Sequence, residues 1–427
     1  MRFSDIRLRA AMLLTLLTAF GSATFGIWIQ DSATDLLKTA DEIVQLMGKL
    51  RGLEPKGPIQ KGVKTREEIS RYLDGYVREN YAERELQSEG KMLRKLGLIP
   101  ADLDYKAFML KLLTEQVGGF YDPEEKTFFI AGWLPVDQQR PVMVHELTHA
   151  LQDQYFDLLK LQKEDRKSQN DDRALAHQAI FEGDAMAVMI DYMLSPGGRN
   201  FAQLPNMILV MRSQFSTMES QFEVFKQAPI YLKETLLFPY GYGAAFLQKV
   251  KADQPWSAVD KIYRDLPAST EQIIHPEKYL GERDEPKKVD AEDPSPKLGE
   301  GWKTSYRNVV GEFSLFMLLQ LQLSEDHSRR AAAGWGGDQI LLVEDEKGDA
   351  AVFFSSVWDS HEEADEFYSA MSEWFARRLP KAAKSVDPAN QTTWLDGNEY
   401  NSLRMDDRRV TFIIGLPDSE GYKFRSW

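Results

Sequence analysis

Two histidines four residues apart, with a glutamate directly after the first, could hold a divalent ion and activate water on it. The segment is His145-Glu146-Leu147-Thr148-His149. On a helix, residues four apart share a face, one turn from each other, so both imidazoles can reach one ion. Glu146 then stands where a general base for that water is needed. With 6 His in 427 residues, the pattern H-E-x-x-H is expected by chance about 0.007 times in such a chain. Catalytic zinc takes three protein ligands and keeps one position open. The third ligand is sought in His177-Gln178-Ala179-Ile180-Phe181-Glu182-Gly183-Asp184-Ala185, and Glu182 is the choice. Gly183 costs about 1 kcal/mol relative to Ala in a helix interior. A small residue there would let this helix approach the His145 helix closely. His177 lies five residues before Glu182, about 140° around a helix. The two cannot easily aim at one ion, so His177 is read as a hydrogen-bonded interior residue.

His145-Glu146-Leu147-Thr148-His149 followed by Glu182-Gly183-Asp184-Ala185 resembles the gluzincin branch of zinc metallopeptidases. More narrowly, the chain is similar to uncharacterised bacterial membrane-attached proteins with this motif. The resemblance spans roughly Gly118 to Tyr279. It implies His145, His149 and Glu182 as ligands of one catalytic Zn²⁺, Glu146 as general base, and peptide-bond hydrolysis. It also implies a strand edge beside the site that pairs with an extended substrate. The sequence departs from the branch at Met186, where some members carry an Asp that supports a histidine. Asp153, four residues after His149, is the candidate substitute. For the oxyanion the candidate donors are His275, then Tyr242, then Tyr240. His275 follows Ser269-Thr270-Glu271-Gln272, a capping-box pattern that starts a short helix, and Pro276 should end that helix near Ile274.

These residues need elements to position them. Leu36, Leu37, Ile43, Val44 and Leu50 predict a helix over 31–50. Arg51–Thr65 is punctuated by Gly52, Pro55, Gly57, Pro58 and Gly62 and reads as a linker. Helices are expected over 66–98 and 102–116. Gly118–Tyr121 and Thr127–Ile130, separated by Asp122–Lys126, predict a hairpin. The His145 helix comes next, with Pro141 expected at its first position. A third helix runs from about Asp172 to Leu194, and more helical sequence covers 207–227 and 242–251. Later, Ile340–Val343 pairs with Ala351–Phe354, Ser360 caps a helix to about Arg378, and Val410–Ile414 is a strand.

The fold class is therefore α+β: a mainly helical, zincin-like catalytic domain with a small β hairpin or sheet, plus a smaller α+β C-terminal domain. The expected boundaries are 1–30 for a signal peptide or N-terminal membrane anchor and 31–65 for a helix and linker. The metallopeptidase domain occupies 66–280, a linker 281–300 and the C-terminal domain 301–427.

A net charge of −14 argues against nucleic-acid partners. The absence of Cys excludes disulfides, thiolate zinc ligands and a cysteine nucleophile. Arg2, Arg7 and Arg9 precede an uncharged run from Ala10 to Ile29, a pattern that sends the downstream chain across a membrane. The protein is expected outside the cytoplasm, in the cell envelope or periplasm or extracellular, anchored to the membrane by residues 10–29. Its partner would be a protein or peptide substrate, and the oligomeric state is left open. The alternative is a non-catalytic envelope binding or assembly protein that retains a zincin fold and metal site. An intact Glu146 argues against it. Hydrolysis of a non-peptide amide, such as cell-wall material, would use the same chemistry.

Overall fold

The computed structural model describes residues 33–80, 83–133, 136–252, 254–386 and 391–424. The N-terminal run at 10–29 lies outside them. Among the described residues no helix is long and apolar enough to cross a membrane. The chain is α+β. A mostly helical N-terminal region holds a three-stranded sheet, and a C-terminal region is built on a seven-stranded antiparallel sheet. Two compact units result. The first takes the described residues within Met1–Tyr81, Ala107–Ser168 and Ala174–Pro267. The second takes Ala82–Lys106, Gln169–Arg173 and Ala268–Trp427.

Four helices matter to the site: α1 (Ala33–Arg51), α2 (Val136–Phe156), α3 (Asp171–Leu194), which lies in the first unit from Ala174 onward, and α4 (Ile230–Lys251). In α1, Leu36, Ala40, Ile43 and Met47 are buried at helical spacing. Each of the large ones contributes about 1.5–3 kcal/mol by leaving water. Arg51 continues that stripe and is as fully buried as they are.

Helix α2 begins at Val136, so Pro141 lies inside it rather than at its first position. Pro141 forfeits only its own bond to the carbonyl four residues back. A buried side chain anchors the early turns, for Gln139 Nε2 donates to the Ala131 carbonyl at 2.9 Å. The helix has no solvated side around its middle. Met143, Val144, Leu147 and Leu151 are buried, as are His145, Glu146, Thr148, His149 and Gln152.

The predicted hairpin is β2 (Gly119–Asp122) and β3 (Thr127–Ala131). A third strand, β1 (Gln60–Lys64), comes from the segment read as a linker and pairs in parallel with β3, Gln60 opposite Thr127 and Lys64 opposite Ala131. The order is β1-β3-β2, so β3 is central. Helix pattern and glycine punctuation do not report such a pairing, because its partner lies more than sixty residues away.

The C-terminal sheet contains β4 (Lys303–Asn308), β5 (Trp335–Glu344), β6 (Ala350–Trp358), β7 (Ala383–Val386), β8 (Gln391–Asp396), β9 (Glu399–Asp406) and β10 (Arg409–Pro417). Their order is β4-β5-β6-β10-β9-β8-β7. The helix His361–Arg378, capped by Ser360, packs Phe367 on Trp358 and Phe375 on Trp394. A separate cluster holds Leu341, Val343, Phe353, Ile413 and Phe424 together with Ala291 and Leu298. Residues 281–300 thus contribute buried side chains to this unit.

Candidate metal centre

Helix α2 presents His145 and His149 one turn apart, and α3 brings Glu182 to meet them. His145 Nε2 stands 3.2 Å from His149 Nε2. Glu182 Oε2 lies 3.0 Å from the first and 3.4 Å from the second. Three donors bound to one zinc at tetrahedral angles would stand about 3.3–3.6 Å apart, so the set is already near ligand spacing. None of the three side chains is more than 1% exposed. Glu182 Oε1 is buried and has no hydrogen-bond partner among the described residues. Two imidazole nitrogens and a carboxylate, one of its oxygens orphaned, fit a divalent cation. This buried His145, His149 and Glu182 group could bind a metal ion.

The electrostatics are those of a carboxylate wedged between two rings. Burial opposes charge on Glu182, but the neighbouring imidazoles hold its pKa below the ordinary value. Burial depresses His145, and its bond to Glu182 does not make up the loss. For His149 burial is again the largest single influence, yet the charge and hydrogen bond of Glu182, with Glu146 and Gln152, together outweigh it and the pKa rises. Glu182 therefore favours the charged form of His149. A cation held by these nitrogens would compete with that proton.

Glu146 is buried, and its Oε2 accepts the backbone N–H of Tyr121 at 3.0 Å. The hairpin thus serves to aim this carboxylate. Tyr121 also donates its hydroxyl to Asp153 at 2.7 Å, and Lys126 donates to the same oxygen at 2.6 Å. Asp153 is consequently occupied by the hairpin and does not support a histidine. Gln152 takes that place: its Oε1 faces His149 Nδ1 at 2.9 Å. Behind it stand Asp184, Arg51 and Tyr263. The signal that could have found Arg51 is its position on the apolar stripe of α1, where a lone cation demands a buried anion.

Gly183 does not serve an approach to the His145 helix. A Cβ there would lie 2.5 Å from the backbone carbon of Gly243, and one on Gly243 would lie 2.0 Å from the Ala179 carbonyl oxygen. The two glycines let α3 and α4 touch backbone to backbone. That contact carries Tyr240, three residues before Gly243, against the site. Its ring stacks on His145 at 5.9 Å, with 30° between the planes. Burial, then the charges of Glu182 and Glu146, push its phenol well above the ordinary pKa.

The other sequence candidates have different partners. Tyr242 stacks on Phe238 at 4.8 Å. His275 belongs to the second unit and lies 2.9 Å from Glu312 through Nε2. It follows a helix capped by Ser269 as the capping box predicts. His177 pairs with Asp165 at 2.9 Å. A second acidic group, Glu271, Asp284 and Asp359, is bridged by the Lys278 ammonium at 2.7–2.8 Å. A lysine already supplies the positive charge there.

No curated protein matches the chain. Among solved structures it is similar to a protein from Chloroflexus aurantiacus described as a "putative hydrolase with a novel fold", at 16% identity and a TM-score of 0.35, covering 66% of this chain and 99% of that one. A likeness of that strength carries no argument about function. Residues 301–423, which contain none of the residues of the metal centre, match the model of a family described as a domain of unknown function, DUF8575.

Proposed function

We propose that this chain is a zinc-dependent metallopeptidase. The observation that carries the reading is the buried triad of His145, His149 and Glu182 at ligand spacing, with Glu146 beside it on the same helix. When bound, the ion supplies Lewis acidity, polarising a carbonyl and acidifying water toward neutral pH. The chain's own residues do the rest. Glu146, aimed by the Tyr121 N–H, takes the proton from the attacking water and passes it to the leaving amine. Tyr240 stands against His145 as a phenolic donor for the developing oxyanion. Gln152 holds the His149 ring in place. The substrate class is protein or peptide, and the site of action is outside the cytoplasm, with residues 10–29 as the membrane attachment.

The test is metal content and hydrolysis of an unfolded protein, with Glu146→Gln alongside. Stoichiometric zinc is expected in both proteins. Cleavage should fall at least 100-fold in Glu146→Gln, in line with the loss of a general base. One observation favours a second reading, a non-catalytic envelope protein that keeps a metal site for binding or assembly: all three ligand side chains and Glu146 are closed from solvent. Full zinc occupancy with no hydrolysis of any peptide or amide offered would select it.

A further inference from the structure

We propose that Asp184, held by Arg51, is a positioning residue of the metal centre. Acting through Gln152, it fixes which ring nitrogen of His149 is offered to the ion. The inference rests on the zinc reading above. The contacts form an unbroken buried chain. His149 Nδ1 faces Gln152 Oε1 at 2.9 Å. Gln152 Nε2 donates to the Phe181 carbonyl at 3.0 Å and to Asp184 Oδ2 at 3.2 Å. Arg51 donates through Nε to Asp184 Oδ1 at 2.7 Å and through Nη2 to Oδ2 at 3.2 Å. The Tyr263 hydroxyl donates to Oδ2 at 2.9 Å. Arg51, Gln152 and Asp184 have no exposed surface.

Donors and acceptors along this chain fix its direction. A glutamine amide has one accepting end and one donating end. The Phe181 carbonyl and the ion-paired Asp184 carboxylate only accept. The Gln152 amino group must face them, so Oε1 must face His149. An acceptor at Nδ1 requires an N–H there. That leaves the Nε2 lone pair pointing to where His145 Nε2 and Glu182 stand. With Gln152 turned over, its amino group would face Nδ1, the proton would sit on Nε2, and that nitrogen would be closed to a metal. The acceptor-only character of Asp184, added to that of the Phe181 carbonyl, decides which way the amide sits. Arg51 ends α1, so a helix 94 residues ahead of His145 is part of the centre's construction. A plain structural ion pair would stabilise the fold without choosing a nitrogen, and the two roles separate experimentally.

The measurements are zinc dissociation constants by chelator competition and the visible spectrum of the Co²⁺-loaded protein. Asp184→Asn is isosteric. With its oxygen toward Arg51 it turns an amino group to Gln152, so that the Phe181 carbonyl alone opposes the flip. The expected result is a zinc Kd raised about 10–100-fold, the usual cost of losing an outer partner of a ligand, with an altered cobalt spectrum. Tyr263→Phe removes a bond from the same carboxylate but leaves it accepting only. It should lower the thermal midpoint while Kd and the cobalt spectrum stay those of the wild type. Should Asp184→Asn not fold, Arg51→Met with Asp184→Asn removes both buried charges and carries the same expected result. An unchanged Kd in the Asn variant, or equal shifts in Asp184→Asn and Tyr263→Phe, overturns the proposal. Wild-type protein that takes up no zinc overturns the metal reading itself, a different and separately visible failure.

Discussion

At Glu182 one carboxylate oxygen faces both imidazoles while the other is left without a donor. Replacing it with Ala removes the one anionic group in the triad and leaves two buried rings. Zinc affinity should fall by two orders of magnitude or more, measured by isothermal titration. Retained tight binding would mean the ion sits elsewhere. His145, Glu146 and His149 are readable in the sequence because four-residue spacing on a helix has one geometric meaning. Glu182 is readable as a carboxylate on the next long helix. Gln152, Asp184 and Arg51 are not, because their roles depend on which ends of their side chains meet across three helices. No spacing rule records that.

At the scale of elements, the backbone contact of α3 with α4 is the feature most sensitive to a single methyl group. In Gly243→Ala the new carbon would land on the Ala179 carbonyl oxygen, and the helices must part or bend. Thermal unfolding should show a loss of about 1–3 kcal/mol or more. Gly75 is the contrast. It lies within the helix Arg66–Asn80, and a Cβ there meets nothing within 4 Å. Gly75→Ala should stabilise by about 0.5–1 kcal/mol. Equal destabilisation by the two would refute the close crossing as the cause. The β2–β3 hairpin is legible from its aromatic runs, as are β5, β6 and β10 from their apolar runs. The β8–β9 hairpin carries an equally local signal, Asp396-Gly397-Asn398, with Gly397 at φ 60°. Strand β1 carries no such mark. Its one branched apolar residue, Val63, sits among Gln60, Lys61, Gly62 and Lys64, and only β3 makes a strand of it.

At the scale of the whole molecule, the second unit buries acids that the first unit's chemistry does not use. Burial raises Asp172 to about 8, against the opposing bonds from Thr270, and the charges of Asp338 and Glu312 add to the rise. Asp338 rises to about 6, again through burial. The folded state therefore keeps protons that the unfolded chain releases near pH 4. Between about pH 4 and 8 the native form binds more protons, so stability falls as pH rises. Urea unfolding, followed by hydrogen exchange in β5 and β6, should show greater protection at pH 5 than at pH 7.5, by at least about 1 kcal/mol. Asp172→Asn should flatten that slope. A slope of the opposite sign would show that these carboxyls are ionised in the fold.

The span of the centre along the chain has a consequence for biosynthesis. Its parts run from Arg51 through His145, His149 and Glu182 to Tyr240 and Tyr263. A ribosome adding about 5–20 residues per second needs tens of seconds to pass from the first of these to the last. Throughout that interval the nascent polypeptide holds only some of the pieces. Any uptake of a cation by this centre would follow synthesis of most of the first unit.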